Sequence, residues 1–397
     1  MRRAVDAVVI GAGIAGTASA YYLRQAGASV ALVDAHGPGW GASGRNPGFL
    51  WLQTKPAGLA MDFSLACRRF AETLADDLPD FGFRASGGLI LYRDAAYASV
   101  AQIFAADRRR AGLPVELLDR KALRDLCPEI GPEISGAVWN PRDAYQDTVR
   151  LVGHLARLFE QAGGIILAPA RVAALVMSAS VCRGVRLADG DEIASGIVVL
   201  AAGPWSNELL APLRLDVPYV TTRFEAAETA PAPFRLRPVV AGQALFRFFA
   251  PPGIDREALP REPSERLRPE LGFTEQIASR ADGALLFGCA YEVGSARDQA
   301  TVAGQAMACS IHSRNFPAVA GLPIMRQWAG VVAQTPDGLP VLDASVGLEG
   351  LVINTGHFFG NLAGAFSGRI VADLVAGKDP PYPIDGLSRR RFAARAA

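Results

Sequence analysis

The chain has 397 residues, of which half are apolar and a fifth are charged, as is typical of a globular protein with a substantial core. Its formal net charge is +1, so the charge balance does not favour a nucleic-acid partner. No apolar run is long enough to span a bilayer, and the five cysteines have neither paired nor metal-ligand spacing. We therefore expect a cytoplasmic protein with no membrane span, no bound metal and no nucleic-acid partner.

The first elements of the chain form a β-α-β pattern. Residues 7–10 are an apolar stretch typical of a strand, residues 11–16 are a glycine-rich turn, and residues 17–25 have the apolar spacing of a helix. Residues 29–33 predict a second strand, which ends at Asp34. Two such strands joined by a helix are the unit from which a dinucleotide-binding sheet is built.

The rest of the chain contains two α/β segments and a strand-rich region between them. Helices are predicted at residues 57–78, 96–111, 149–162, 302–315 and 363–375. Strands are predicted at residues 87–92, 165–167, 171–177, 181–187, 197–201, 244–249, 284–288 and 351–354. The stretch 251–269 is rich in proline and arginine, which indicates an exposed insertion beside an antiparallel sheet.

The strongest motif is the glycine-rich sequence GAGIAG, which begins at Gly11 and joins the first strand to the first helix. Gly11 permits the tight turn, Gly13 lets the backbone approach a pyrophosphate, and Gly16 lets the helix pack closely on the strand. The first helical turn, with Ile14 and Ala15, offers partial positive charge to the phosphates. This motif predicts a dinucleotide cofactor.

The acidic residue at the end of the second strand narrows the choice of cofactor. Asp34 is placed to accept hydrogen bonds from the hydroxyl groups of an adenosine ribose. A carboxylate there would repel the 2′-phosphate of NADP. Both FAD and NAD remain compatible with these two features.

The loop after the second strand, GWGASGRNPG, resembles the D-amino-acid-oxidase-like flavoproteins. That family includes glycine oxidase, sarcosine oxidase, D-amino-acid dehydrogenase, and the β subunits of heteromeric sarcosine, opine and hydroxyproline dehydrogenases. In the family this loop lies against the flavin ring and the diphosphate. The resemblance therefore implies that Ser43, Arg45 and Asn46 contact FAD.

Three later segments resemble the same family. Val172 begins the strand whose backbone meets the adenine, and the segment AAGPWS, with Gly203 and Trp205, matches a turn that closes over the diphosphate. The C-terminal sequences WAG, TPDGLP and NTGH match the last flavin-binding block. There the resemblance implies cofactor contacts from Gly356, Gly360, Asn361 and Leu362. FAD is therefore the expected cofactor.

Two departures from the family pattern concern the substrate. Many relatives have an arginine two residues after the WAG sequence, where it binds the substrate carboxylate, but here WAG is followed by Val331 and Val332. The usual GHG turn is replaced by GHFFGN, so Phe358 and Phe359 stand beside the expected flavin site. These changes predict a narrower or more apolar pocket and argue against a simple amino-acid substrate.

A few other side chains are candidates for catalysis or substrate binding. His357 lies in the flavin-facing motif, and Lys55, one of three lysines, is a candidate cation beside the ring. Arg223 and Arg326 are candidate replacements for the missing carboxylate anchor. The candidates for the lining of the substrate pocket are Trp51, Gln53 and Phe358.

The predicted fold class is α/β, with a Rossmann-like FAD-binding domain and an inserted antiparallel β-sheet that forms the substrate domain. The FAD-binding domain is predicted to comprise residues 1–50, 145–215 and 325–397. The substrate-binding domain is predicted to comprise residues 51–144 and 216–324.

The resemblance implies an enzyme that oxidises the C–N bond of a small amine or amino acid. The substrate class is a D-amino acid, an N-alkyl amino acid or an opine. A hydride passes from the carbon next to a neutral amine to flavin N5, and the resulting imine hydrolyses. Three alternatives remain: an FAD-carrying β subunit that passes electrons to partner subunits of a heteromeric dehydrogenase, an NAD-dependent dehydrogenase, and an inactive cofactor-binding structural subunit.

Overall fold

The computed structural model describes residues 3–78, 81–344 and 347–395. In these ranges the strands are β1 (Arg3–Ile10), β2 (Val30–Val33), β3 (Phe49–Leu50), β4 (Gly88–Tyr92), β5 (Glu116–Asp119), β6 (Gly136–Asn140), β7 (Ala144–Tyr145), β8 (Ile165–Leu167), β9 (Val172–Ser178), β10 (Val181–Leu187), β11 (Glu192–Leu200), β12 (Val220–Pro231), β13 (Val239–Ala241), β14 (Gly272–Ser279), β15 (Ala284–Val293), β16 (Ile324–Gln334), β17 (Val341–Asp343) and β18 (Leu351–Thr355). The α-helices are α1 (Ile14–Gln25), α2 (Leu59–Asp77), α3 (Ala95–Arg110), α4 (Arg120–Leu126), α5 (Thr148–Gln161), α6 (Ser206–Leu210), α7 (Ala244–Phe248), α8 (Pro263–Leu267), α9 (Val302–Asn315) and α10 (Gly360–Val375).

One sheet has eight strands and contains the parallel core of the fold. Its central order is β17-β18-β11-β1-β2-β8, and β10 and β9 extend it from β11. Strand β1 is parallel to β2 on one side and to β11 on the other, and β11 is parallel to β18. Residues 7–10 and all of β2 are buried, as expected for parallel strands that are covered on both faces. The chain continues from β1 to β2 on one side and later returns to β11 on the other side. Doubly wound sheets bind their ligands at such a position.

A second sheet, also of eight strands, has the order β16-β12-β15-β14-β13-β4-β6-β5. Its strands pair antiparallel except for β13 and β4, which are parallel. The Rossmann-like sheet with an inserted, mostly antiparallel sheet is the fold class that the sequence predicts. Strand β16 pairs in this second sheet, although the predicted domain division places residues 325–334 in the FAD-binding domain.

The strand predicted at residues 244–249 is wrong, because this segment forms helix α7 (Ala244–Phe248). A short apolar run has no periodicity that distinguishes a buried strand from a buried helix. Here the run packs on the core next to α3, where the ring of Phe246 lies 5.2 Å from Phe104 and 6.3 Å from Tyr97. Tertiary packing therefore decides the structure of this segment.

Close packing between α1 and α10 holds the start of α1 at the edge of the first sheet. A Cβ atom added at Gly364 would lie 2.4 Å from Cγ2 of Ile14, and one at Gly368 would lie 2.5 Å from Cβ of Ala18. Both glycines are needed for this approach, because real Cβ contacts are longer. None of the helices in the described residues combines the length and the apolar character needed to cross a membrane.

Candidate active site

A first cavity, of about 440 Å³, lies at the carboxyl ends of β1, β2 and β11. The sequence-predicted residues His357 and Phe358 line it at one end. Its lining also includes these predicted cofactor contacts: Gly11, Gly13, Ile14, Ala15, Asp34, Ser43, Asn46, Val172, Gly203, Trp205, Gly360 and Asn361. The predicted contacts that are not part of this lining are Gly16, Arg45, Gly356 and Leu362.

The glycine-rich turn has the geometry that a phosphate-binding loop needs. Gly11 has a φ angle of +97°, and a Cβ atom there would lie 2.5 Å from the carbonyl oxygen of Ala201. A Cβ atom at Gly16 would lie 1.8 Å from the carbonyl oxygen of Gly11, so this residue packs the helix onto the turn. The first intrahelical hydrogen bond runs from Thr17 N–H to the carbonyl of Gly13 at 2.8 Å. The amides of the first helical turn that precede this bond have no partner within the helix, as in other helix N-termini that bind phosphate.

Asp34 organises the turn as well as lining the cavity. Its Oδ2 accepts a hydrogen bond from the Ala12 amide at 2.7 Å, and its Oδ1 accepts from the amides of His36 and Gly37 at 2.8 Å each. The carboxylate thus joins the glycine-rich turn to the loop that follows β2. Its position at the cavity wall fits the predicted contact with a ribose.

Aromatic residues line the first cavity beside Val172 and Gly203. His36 stacks on Trp40 with ring centroids 3.6 Å apart, and Trp40 lies 6.3 Å from Trp205. Trp40 and His36 were not predicted as contacts, because a loop sequence does not show which rings meet. They provide flat surfaces next to the expected adenine position.

The loop that resembles the flavin-binding loop contacts the glycine-rich turn directly. Ser43 Oγ accepts a hydrogen bond from the Ile14 amide at 2.9 Å. Asn46 Nδ2 donates to the Ser43 carbonyl at 2.8 Å, and Asn46 Oδ1 accepts from the Gly48 amide at 2.9 Å. Ser43 and Asn46 therefore shape the loop as well as lining the cavity.

Arg45 connects this loop to the second sheet. Its Nη1 lies 3.2 Å from Oδ2 of Asp298 and donates to the carbonyl of Ala329 in β16, also at 3.2 Å. Its guanidinium lies 4.3 Å from the centre of the Trp40 ring. The cation that the resemblance assigns to the cofactor is thus paired with an aspartate in this structure.

His357 is a neutral residue with one free nitrogen. Asn354 Nδ2 donates to Ser19 Oγ at 3.3 Å, so Asn354 Oδ1 accepts from His357 Nε2–H at 2.7 Å. Burial lowers the pKa of His357 to about 4. Its Nδ1 is buried and has no hydrogen-bond partner among the described residues. This nitrogen can accept a hydrogen bond from a ligand N–H at neutral pH.

The turn between β18 and α10 places the remaining predicted contacts. Gly356 has a φ angle of +72°, and a Cβ atom there would lie 2.8 Å from Cγ2 of Thr335. Gly360 and Asn361 begin α10 and line the first cavity, whereas Leu362 lines a second one. Gly356 thus contributes to the site by its backbone conformation, which forms the turn. Leu362 contributes by its buried side chain, which packs in the core.

A second cavity, of about 690 Å³, shares His357 and Phe358 with the first. Lys55 lines it and is only 4% exposed. Its Nζ donates to Thr54 Oγ1 at 2.9 Å and lies 2.8 Å from the centre of the Phe359 ring. Burial holds the pKa of Lys55 well below its usual range.

Phe358 lies in an aromatic cluster where the two cavities meet. Its ring lies 5.9 Å from that of Phe224 and 6.1 Å from that of Phe248. Phe359 packs edge-on against Phe358 at 4.6 Å. The apolar surrounding that the sequence predicts for Phe358 agrees with this packing. Phe224 and Phe248 come from the second sheet and from α7, and nothing in the sequence near them indicates that they contact Phe358.

Trp51 and Gln53 are fully buried and line neither cavity. Gln53 Nε2 donates to Oδ2 of Asp143 at 2.6 Å, and Trp51 Nε1 donates to Oε1 of Gln276 at 3.4 Å. Burial raises the pKa of Asp143 to about 6. Both residues that are predicted to line the substrate pocket therefore contact strands of the second sheet, Trp51 through β14 and Gln53 through β4.

Neither candidate carboxylate anchor lines the first or the second cavity. Arg223 is 1% exposed and forms ion pairs with Glu225 at 2.8 Å and with Glu292 at 3.2 Å. Its neighbour Phe224 points to the opposite face of β12, toward Phe358, because successive strand residues alternate. Arg326 is exposed and pairs with Glu228.

The sequence profile of the DAO family, described as FAD dependent oxidoreductase, matches residues 6–374. The chain belongs to this family. A component of opine oxidase from Rhizobium meliloti is 25% identical, over 99% of this chain and 99% of the relative. Glycine oxidase from Pseudomonas putida is 27% identical, over 96% of this chain and 98% of the relative.

The same fold appears among solved structures. Glycine oxidase from Geobacillus kaustophilus superposes with a TM-score of 0.84 at 22% identity, over 98% of this chain and 99% of that one. At this identity the similarity concerns the fold. The expected fold class, the FAD cofactor and the assignment as an oxidoreductase are confirmed by the family membership.

The first cavity fits the FAD that this family uses. It combines a phosphate-binding turn, a carboxylate beside the expected ribose, and an end formed by apolar Val331–Ala333 together with neutral His357. The unpaired Nδ1 of His357 is the kind of buried acceptor that a bound ligand satisfies. The loop after β2, β16 and the start of α10 each contribute to this lining.

Proposed function

We propose that the chain oxidises the C–N bond of a small amine or amino acid of the D-amino acid, N-alkyl amino acid or opine class. The observation that carries the proposal is the family match together with full-length relatives named for opines and for glycine. When bound, FAD would supply the redox chemistry as acceptor of the hydride that the substrate carbon loses, and hydrolysis of the imine product would follow.

The residues of the chain bind and orient the reactants. The amides at the start of α1 and the Asp34 carboxylate bind one end of the cofactor. Gly360 and Asn361, at the start of α10, lie at the other end of the cofactor. The rings around Phe358 exclude water from the place where the substrate C–H bond lies. His357 Nδ1 accepts a hydrogen bond from a ligand N–H, and the imidazole does not need to gain or lose a proton.

We further propose that a partner protein or a quinone-like acceptor, and not oxygen, takes the electrons. The full-length relative from Rhizobium meliloti is named as one subunit of an opine oxidase, which supports a multi-subunit assembly. Lys55, the candidate cation for oxygen activation, is held by Thr54 and Phe359 at the second cavity. A buried lysine with a lowered pKa is a weak source of positive charge for developing superoxide.

The test is anaerobic reduction of the FAD-loaded chain by D-amino acids, N-methyl amino acids and opines, followed by flavin absorbance. Bleaching by one of these classes is expected, with the C–N bond broken in the product. Absence of bleaching by every class, with FAD bound, would contradict the proposed substrate classes. Reoxidation of the reduced chain is then timed in air and with an acceptor dye, and fast reoxidation by oxygen contradicts the proposed acceptor.

A further inference from the structure

The second cavity is lined by basic side chains that have no acidic partner among the described residues. Its acidic lining residues are already paired: Asp107 with Arg108 at 2.5 Å, and Asp337 with Arg391 at 2.7 Å. Lys55 and Arg256 also line it, and within the described residues neither forms an ion pair. The cavity therefore favours an anionic ligand group.

Lys55 is the buried member of this pair of cations. One of its three donors is used by Thr54 Oγ1, and the Phe359 ring covers another side of the ammonium group. The negative charge of Asp143 raises the pKa of Lys55. This carboxylate already accepts hydrogen bonds from the amides of Leu52 and Gln53 and from the Gln53 side chain. Donor capacity at Lys55 therefore remains for a ligand.

The first cavity does not offer such a cation near the expected reaction centre. At this end it is lined by Val331, Val332, Ala333, His357 and Phe358, and the nearby Arg45 is paired with Asp298. A substrate carboxylate would have no ionic partner there. The two cavities meet at His357 and Phe358, so a ligand with its C–N bond at this junction has one arm in the second cavity.

We propose that the second cavity binds a carboxylate-bearing arm of the substrate, with Lys55 as the ionic partner of the carboxylate. The phenylalanine wall (Phe248, Phe249, Phe358 and Phe359) packs against the apolar spacer of that arm. The substrate class is then a secondary amine in which one nitrogen substituent is an apolar or aromatic group that ends in a carboxylate. This proposal rests on the proposed amine oxidation, but the anion site itself can be tested without any reaction.

Binding of the carboxylate requires Lys55 to be protonated. In the empty cavity burial and Arg108 lower the pKa of Lys55, while Asp143 and Cys67 raise it. His357 is neutral, and the two acidic lining residues, Asp107 and Asp337, are paired with arginines. The carboxylate restores the ammonium form, so binding takes up one proton at a pH above the empty-site pKa. Affinity therefore falls by up to about tenfold per pH unit as pH rises in that range.

The experiment uses isothermal titration calorimetry of the FAD-saturated chain with phenylacetate and with its neutral analogue phenylacetamide. Loading with FAD fills the first cavity before the probe is added. Titrations in two buffers with different ionisation enthalpies measure the protons taken up. Lys55→Met, Arg256→Met and the exposed Lys378→Met are titrated alongside the wild type.

We expect phenylacetate to bind at least tenfold more tightly than phenylacetamide, with a proton uptake that rises toward one as the pH is raised. Lys55→Met should weaken phenylacetate binding at least tenfold, and Lys378→Met should leave it unchanged. Equal binding of the two probes, no binding of either, or no proton uptake overturns the proposal. If Lys55→Met does not fold, these wild-type comparisons decide the question. Loss in Arg256→Met with Lys55→Met unaffected assigns the anion to Arg256 and overturns the role of Lys55.

The outcomes separate this site from the proposed reaction. If phenylacetate binds through Lys55 but no amine reduces the flavin, the anion site stands and the proposed function fails. If an amine reduces the flavin while phenylacetate binding ignores Lys55, the function stands and this inference fails.

Discussion

Gly13 is the position where a side chain should remove the cofactor and leave the fold intact. It lines the first cavity, and a Cβ atom there meets only Ser43 Oγ, at 3.2 Å. The larger Gly13→Val side chain should project into the space of the pyrophosphate. We expect the purified variant to lose its flavin absorbance while its melting temperature without FAD stays within a few degrees of the wild-type apoprotein.

The matched control is Gly321→Val, because a Cβ atom at Gly321 meets nothing within 4 Å and the residue is outside both cavities. It should retain a full complement of FAD. A Gly13→Val protein that is still yellow would show that the pyrophosphate lies elsewhere.

At the scale of single residues, the sequence predicts those roles that depend on the neighbouring backbone. It does not predict the roles that depend on partners far away in the sequence. Gly11 and Asp34 act on the turn beside them, so a local motif is enough to identify them. Arg45 pairs with Asp298 and Arg223 pairs with Glu292, and no spacing along the chain reveals these distant partners. The position of Lys55 on the Phe359 ring is equally a product of tertiary structure.

The packing of α10 on α1 should control cofactor binding from outside the cavity. Gly368→Val places atoms where Ala18 and the Ser19 amide now lie, at 2.5 and 2.6 Å from the added Cβ. The helices must separate, which moves the first turn of α1 away from the phosphates. We expect weaker FAD binding, measured by flavin fluorescence, and a loss of stability of about 1–3 kcal/mol in urea unfolding.

Gly153→Val provides the control for this substitution, since Gly153 lies in helix α5 and a Cβ atom there meets nothing within 4 Å. Equal effects of the two variants on FAD affinity would mean that valine in any helix disturbs the protein and that the contact between α1 and α10 is not special.

Strand β12 should depend on Arg223 for stability. Arg223→Met leaves Glu225, which is 1% exposed, without its cation, so we expect a loss of about 3–5 kcal/mol in urea unfolding. Arg326→Met on the neighbouring β16 removes an ion pair from a side chain that is 62% exposed, and should cost at most about 1 kcal/mol. Similar losses in the two variants would contradict the structural role of Arg223.

At the level of elements, long periodic segments are predicted well and short apolar ones are not. Helix α9 (Val302–Asn315) and strand β10 (Val181–Leu187) match the predicted ranges 302–315 and 181–187. The segment at 244–249 is a helix because Phe246 packs against α3, which the sequence does not show. The parallel pairing of β13 with β4 joins residues about 150 positions apart and likewise needs the whole fold.

The whole molecule should lose stability in mild acid because of buried histidines. Burial lowers the pKa of His312 and His357 to about 4 each, so the unfolded chain binds protons first as pH falls from about 6.5 toward 4. Asp143 opposes this trend below about pH 6, because its pKa is raised in the folded protein. His312→Gln keeps a donor toward the Gly288 carbonyl and should reduce the slope of stability against pH by up to about 1.4 kcal/mol per pH unit in this window.

Urea unfolding at about pH 7 and about pH 5 measures this slope. The control is His154→Gln, a change in a residue that contacts Arg157 on the surface of α5. A slope that is the same in wild type and His312→Gln would show that this histidine is not protonated on unfolding.

The first cavity is lined by segments that lie far apart in the sequence and are therefore synthesised at different times. The glycine-rich turn and Asp34 come from the start of the chain, Val172 and Gly203 from its middle, and Val331–Ala333 with Gly360 from its last quarter. Strand β18 also adds to the first sheet only beside β11, which itself pairs with β1. A nascent chain that has already made its phosphate-binding turn therefore lacks the cavity walls formed by β16 and the start of α10 until those segments have been synthesised, and the complete FAD site forms only then.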